Sequence, residues 1–125
     1  MPVGRFFPLL ITTIHPTVAV TRHRFIRFGD EQATVLGQRI TGGAPENITA
    51  GTDGACIQMG SVVIEAGAPI ALDGTGIQWV MTDANGRAIT YVAGNAVAGF
   101  IKIAASAATH EIEVFLLPLG AGIAP

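Results

Sequence analysis

The stretch Ala71–Leu117 reads ALDGTGIQWVMTDANGRAITYVAGNAVAGFIKIAASAATHEIEVFLL, and its punctuation decides the fold. Short runs of β-branched, aliphatic and aromatic residues alternate with clusters of Gly, Asp and Asn, the pattern of strands joined by tight turns. Its clearest unit is a hairpin. Ile77, Trp79 and Met81 point one way and Gln78, Val80 and Thr82 the other. Asp83-Ala84-Asn85-Gly86 connects them to a return strand over 87–92, its Asn-Gly pair favouring positive φ. Residues 97–103 read as a further strand containing Gly99, and 104–109 as a small-residue link or a single helical turn. The last strand spans 110–117, with Ile112, Val114 and Leu116 inward and Glu111 and Glu113 outward.

Upstream, the same grammar continues in weaker form. Thr21 to Phe28 alternates loosely, and Gly29-Asp30 supplies a turn. Val35 to Ile40 reads as a strand interrupted by Gly37, and Thr41 to Asn47 as a loop on composition. Residues 48–50, 55–59 and 61–65 read as short strands, and Asp73-Gly74-Thr75-Gly76 as a turn. Gly37 and Gly99 sit in parallel contexts, an internal echo consistent with two similar sub-sheets. No run has the length and period of a substantial helix. The expectation is an all-β fold, a small barrel or sandwich of short antiparallel strands with an extended N-terminal arm.

The arm is MPVGRFFPLLITTIHPTVAV, residues 1–20, ahead of a β-rich domain over 21–125. Pro8 and Pro16 rule out a regular helix, and the apolar run is too short and interrupted to span a bilayer. It also lacks a well-placed signal cleavage site. The preferred reading is an apolar arm lying on a neighbouring subunit; the alternative is a first strand of the protein's own sheet.

Composition narrows the function classes. The 125 residues suffice for one domain with a true core. Half are apolar and only 13% are charged, whereas a small soluble monomer carries roughly 25–35% charged residues on its surface. Much of the surface is therefore expected to be covered by partners. Charge is also uneven. Arg5, Arg22, Arg24, Arg27 and Arg39 outweigh Asp30 and Glu31 to give +3 over residues 1–39, against −5 over 40–125. With one lysine in the chain, a nucleic-acid binder is not expected. The basic N-terminal part instead suits acidic neighbours.

No catalytic constellation emerges. Ser61 and Ser106 are outside any G-x-S-x-G turn, and His15, His23 and His110 lack metal-ligand spacing. Cys56, the one cysteine, has apolar neighbours and reads as a core thiol. The glycine loops lack the Gly-Lys-Ser/Thr ending of a phosphate cradle. Asp83-Ala84-Asn85-Gly86 begins like a calcium loop, but its twelfth position is Gly94. Trp79 and Tyr91 read as a cross-strand pair. No catalysis and no cofactor or metal are expected.

Several runs together resemble a known family: Glu65-Ala66-Gly67-Ala68-Pro69-Ile70, Thr82-Asp83-Ala84-Asn85-Gly86-Arg87-Ala88, Val97-Ala98-Gly99, Ala104 to Ala108 and Ile112-Glu113-Val114, with Arg24-Phe25-Ile26 upstream. Over roughly residues 22–117 the chain resembles the head decoration, or capsid cement, proteins of tailed bacteriophages. It departs from their pattern at Ile64, at Phe100 and Lys102, and at Thr109-His110. The resemblance implies a virion protein made in the host cytoplasm, commonly a homotrimer. It would sit on the outer surface of the mature capsid at three-fold and local three-fold positions. Its partners would be the major capsid protein and itself, with no nucleic acid and no membrane. Capsid or inter-subunit contacts are expected from Phe6, Phe7, Leu9, Leu10, Ile11 and Ile14 in the arm, and from Arg22, Arg24 and Arg27. A glycan-binding β-module of a phage fibre or adhesin is the alternative, with Trp79 and Tyr91 as its platform. A small hydrolase using Cys56 or Ser61 is a more distant rival.

Overall fold

A computed structural model describes residues 8–117. They form nine strands and no helix: β1 (Pro8–Ile14), β2 (Phe25–Arg27), β3 (Glu31–Gln32), β4 (Ile40–Gly43), β5 (Gly54–Glu65), β6 (Gln78–Thr82), β7 (Ala88–Thr90), β8 (Gly99–Ile101) and β9 (Glu111–Leu116). All the strand pairings are antiparallel, along the path β3-β2-β4-β5-β9-β8-β6-β7, with β1 added against β5. The all-β fold expected from the sequence is the one observed.

β5 organises the sheet. Its first half pairs with β1 and β4 and its second half, from Ser61, with β9. The stretches read as separate strands over 55–59 and 61–65 are one strand passing through Gly60, whose φ of +91° is open to glycine at no steric cost. The two ends of the sheet then meet. Phe25 N donates to Gly86 O at 2.7 Å and Gly37 N to Thr82 O at 2.8 Å, so the β2–β3 end touches the β6–β7 end and the sheet curls towards a barrel. The curl encloses a core of Phe25, Ile57, Val62, Ile64, Val80, Ile101 and Val114 with their smaller neighbours. A second, smaller core gathers Ile14, Val20, Ile26, Ala44, Ile48 and Cys56.

Three local expectations are corrected. Residues 33–39 form no strand. Val35 to Gln38 is a tight turn, closed by Gln38 N donating to Val35 O at 3.1 Å, and Gln38 Oε1 accepts from Thr34 N and Val35 N. The echo between Gly37 and Gly99 accordingly does not hold. Conversely, Thr41-Gly42-Gly43, read as loop, belongs to the fully buried strand β4. A Cβ on Gly42 would stand 2.0 Å from the carbonyl oxygen of Ile57, and one on Gly43 would meet Ile64 and Val62 at 2.9 Å. Composition suggested a loop where close packing demands glycine. Residues 104–109 hold no helical turn; Ala105 instead exchanges backbone hydrogen bonds with Ile70.

The N-terminal stretch follows its alternative reading over the described residues. It is extended, but β1 pairs with the chain's own β5, from Pro8 opposite Gly60 to Ile14 opposite Gly54. Ile14 and Val20 are core residues. Phe6 and Phe7 lie outside the described residues.

Candidate interaction surfaces

The segments that carried the family resemblance converge in space. Glu65 ends β5, Asp83 to Arg87 turn between β6 and β7, and Arg24 leads into β2. Glu65 Oε2 lies 3.6 Å from Arg24 Nη2 and 3.5 Å from Arg87 Nη1, and Arg87 Nε lies 3.5 Å from Asp83 Oδ2. Arg24 Nη1 and Gln32 Nε2 both donate to Asn85 O, at 2.9 and 3.2 Å. Asp83 Oδ1 accepts from the backbone N–H of Asn85 and of Arg87, both at 2.8 Å, which fixes the turn. Next to the cluster, His23 Nδ1 lies 3.0 Å from Glu111 Oε2. These mostly buried charges are paired with one another and with backbone groups, as buried charges must be. They form a clasp that holds the two sheet ends together.

The clasp absorbs one of the expected contact residues. Arg24 is only 18% exposed in its side chain and its guanidinium bonds within the chain. Arg27 is half-buried and donates from Nη1 to Phe28 O at 2.8 Å. Arg22 is exposed, with its backbone N–H bonded to Asn47 Oδ1 at 2.8 Å. In β1, Ile14 points into the core, whereas Leu9 is 77% and Ile11 56% exposed, with Leu10 also exposed. Among the described residues β1 pairs with no strand but β5, so its other edge offers unpaired backbone groups beside an uncharged apolar surface. An edge of that kind is a template for association.

A second surface was not read from the sequence as a unit. On β6, β8 and β9 the core takes Val80, Ile101, Val114 and Leu116, and the alternate positions carry Trp79, Phe100 and Phe115. Trp79 lies opposite Phe100, and Phe100 opposite Phe115. Their ring centroids are 5.5 Å apart edge-on at 68° and 5.2 Å apart stacked at 15°, and Lys102 Nζ sits 5.0 Å over the Phe115 ring. Tyr91 continues the row through its N–H to Trp79 O at 2.9 Å. All four aromatics are half-buried. A half-covered antiparallel sheet normally turns polar residues outward; this one turns aromatics outward, a signal visible in sequence only once strand register is known.

The candidate reactive groups are placed as follows. Cys56 is fully buried, and burial pushes its thiol up to about 11. Ser61 is buried and its hydroxyl donates to Glu113 Oε2 at 2.6 Å. His15 Nδ1 pairs with Asp53 Oδ1 at 2.7 Å on the surface. Ser106 Oγ lies 3.3 Å from His110 Nδ1 in an exposed loop, while the neighbouring Glu111 pairs with His23 instead. Among the described residues no group of three or more His, Cys, Asp or Glu is arranged to hold a metal ion, and no helix is long and apolar enough to cross a membrane. The structure offers surfaces for association and an internal clasp.

The chain matches no protein-family profile and no curated protein. Among solved structures it is similar to the crystal structure of the head fiber gp8.5 N base of bacteriophage phi29, with a TM-score of 0.67 and 16% sequence identity over 86% of this chain and 93% of that one. At that identity the likeness shows a shared fold over nearly the whole of both chains.

Proposed function

We propose that this chain is a structural protein of a phage head, bound to the outer surface of the mature capsid as a homotrimer at three-fold and local three-fold positions, where it ties adjacent capsomers together. The observation that carries this reading is the end-to-end fold likeness to the base of a phage head fiber. It agrees with a chain of only 13% charged residues, an exposed apolar edge at Leu9 to Ile11, and the resemblance to decoration proteins through residues that build one clasp.

Such a task needs surfaces rather than chemistry. A subunit that binds the expanded shell and not its precursor stabilises the expanded form by mass action. Contacts to several capsomers at once multiply the effect through effective concentration. The clasp makes the subunit rigid, which limits the ordering entropy lost on docking. Arg22, exposed and basic, contacts the shell in this reading, and the β1 edge contacts the shell or a neighbouring copy. The test is co-sedimentation with undecorated mature shells. Saturable binding that Arg22→Glu weakens supports the proposal; protein left in the supernatant at every concentration sinks it.

A further inference from the structure

The outward aromatic row and the β1 edge are the two apolar surfaces that the curled sheet leaves on one chain, and they differ in kind. The row is a broad, slightly concave-sided face of rings with one cation, Lys102, at its margin. The edge is a narrow ridge, Leu9-Leu10-Ile11, without charge anywhere from Pro8 to Ile14. We infer that the two fit each other between copies: the β1 ridge of one subunit packs on the Trp79–Phe100–Phe115 row of the next. The inference rests on the trimer reading above and names the surfaces that would build it.

Charge and symmetry carry the argument. An occupant of the row must be apolar, since any charge carried onto the rings would be desolvated without a partner. β1 meets that condition over its full length. Its free edge also presents backbone carbonyls, the acceptors that an ammonium such as Lys102 can use. A two-fold dimer joins one patch to itself, whereas a closed ring of three needs two different patches, each meeting the other on the next subunit. This chain has two. Aromatic residues are enriched in the buried centres of interfaces, and here they occupy a sheet face while the interior is filled chiefly by aliphatic side chains.

The test uses the full chain and complementing variants. One carries Leu9→Lys and Ile11→Lys on the ridge; the other carries Phe100→Lys on the row, with the exposed Lys102→Glu as a second row variant should Phe100→Lys fail to fold. Light scattering reads solution mass, and emission from Trp79, the only tryptophan, reports directly on the row. Wild type is expected to associate with a blue shift of that emission. Each variant alone is expected to associate about a hundredfold more weakly. An equimolar mixture of ridge and row variants retains one intact ridge-on-row pair and is expected to form a dimer. Variants that assemble like wild type, or a mixture that stays monomeric, overturn the inference. A wild-type chain that stays monomeric in solution overturns it as well, and shell binding in the co-sedimentation assay then stands or falls separately.

Discussion

Gly67 and Asp83 occupy the same small space: a Cβ on Gly67 would lie 2.3 Å from Asp83 Oδ2. Asp83 cannot easily move aside, because its other oxygen holds the backbone of Asn85 and Arg87. Gly67 itself donates to Ala88 O at 2.7 Å, which ties the chain after β5 to the start of β7. The absence of a side chain at one position thus lets a carboxylate organise the turn that closes the sheet.

Gly67→Ala is therefore expected to destabilise the fold by about 1–3 kcal/mol, the usual cost of overpacking a tight site. Asp83→Asn keeps the size but removes the charge facing Arg87, and should cost less. Thermal or urea unfolding measures both. Equal midpoints for wild type and Gly67→Ala would show that the clasp yields freely.

The strand glycines make a sharper prediction. A Cβ on Gly99 would stand 2.1 Å from the carbonyl oxygen of Phe115, as one on Gly42 would from that of Ile57. In each case the obstacle is backbone in a neighbouring strand, which cannot rotate away. Gly99→Ala and Gly42→Ala should each cost roughly 3 kcal/mol or more, at the upper end of single-substitution effects. Soluble expression and an unfolding midpoint within about 2 °C of wild type would contradict this.

Much of the fold was legible in these same residues, and the failures share a cause. The hairpin about Asp83–Gly86 and the alternation of Ile112, Val114 and Leu116 were readable because turn chemistry and a two-residue period are local signals. β4 was missed because Gly42 and Gly43 read as loop unless the approach of Ile57 is known. The turn at Val35–Gln38 was mistaken for a strand because β-branched composition does not show where Gln38 will bond. Of the contact residues, Leu9 and Ile11 were readable as an uncovered apolar run. Arg24 belongs to the clasp because of Asn85 and Glu65, far away in sequence. The aromatic row depends on the register of three strands, which no local window contains.

Cys56 should be chemically quiet. With its thiol pushed up to about 11 by burial, almost none is thiolate at neutral pH, and the thiolate is the reactive form. Alkylation by iodoacetamide at pH 8 is expected to be slow in the native protein and fast in urea. Comparable rates in the two conditions would mean that the small core around Ile14 and Ile48 opens readily.

Glu31 links stability to pH. Its carboxylate accepts the backbone N–H of Thr17 at 2.8 Å, the main reason its pKa is held below the usual value, together with the Thr17 hydroxyl at 3.0 Å and Val18 N at 3.2 Å. Because the folded-state pKa is lowered, the stabilisation is present above the unfolded-state pKa and is lost as pH falls through the folded one. Glu31→Gln should lower the melting temperature at pH 7 by a few degrees, for a loss of about 1 kcal/mol at this solvent-screened site. The gap should close in acid. A constant difference from pH 7 down to pH 2 would contradict this.

The central claim is that the chain decorates the outside of a phage head. Cryo-electron microscopy of undecorated mature shells incubated with the purified protein tests it most directly. The account predicts added density on the outer surface at three-fold and local three-fold positions, into which three copies of the curled sheet fit. Shells that gain no density, or gain it only inside or at the tail vertex, would contradict it.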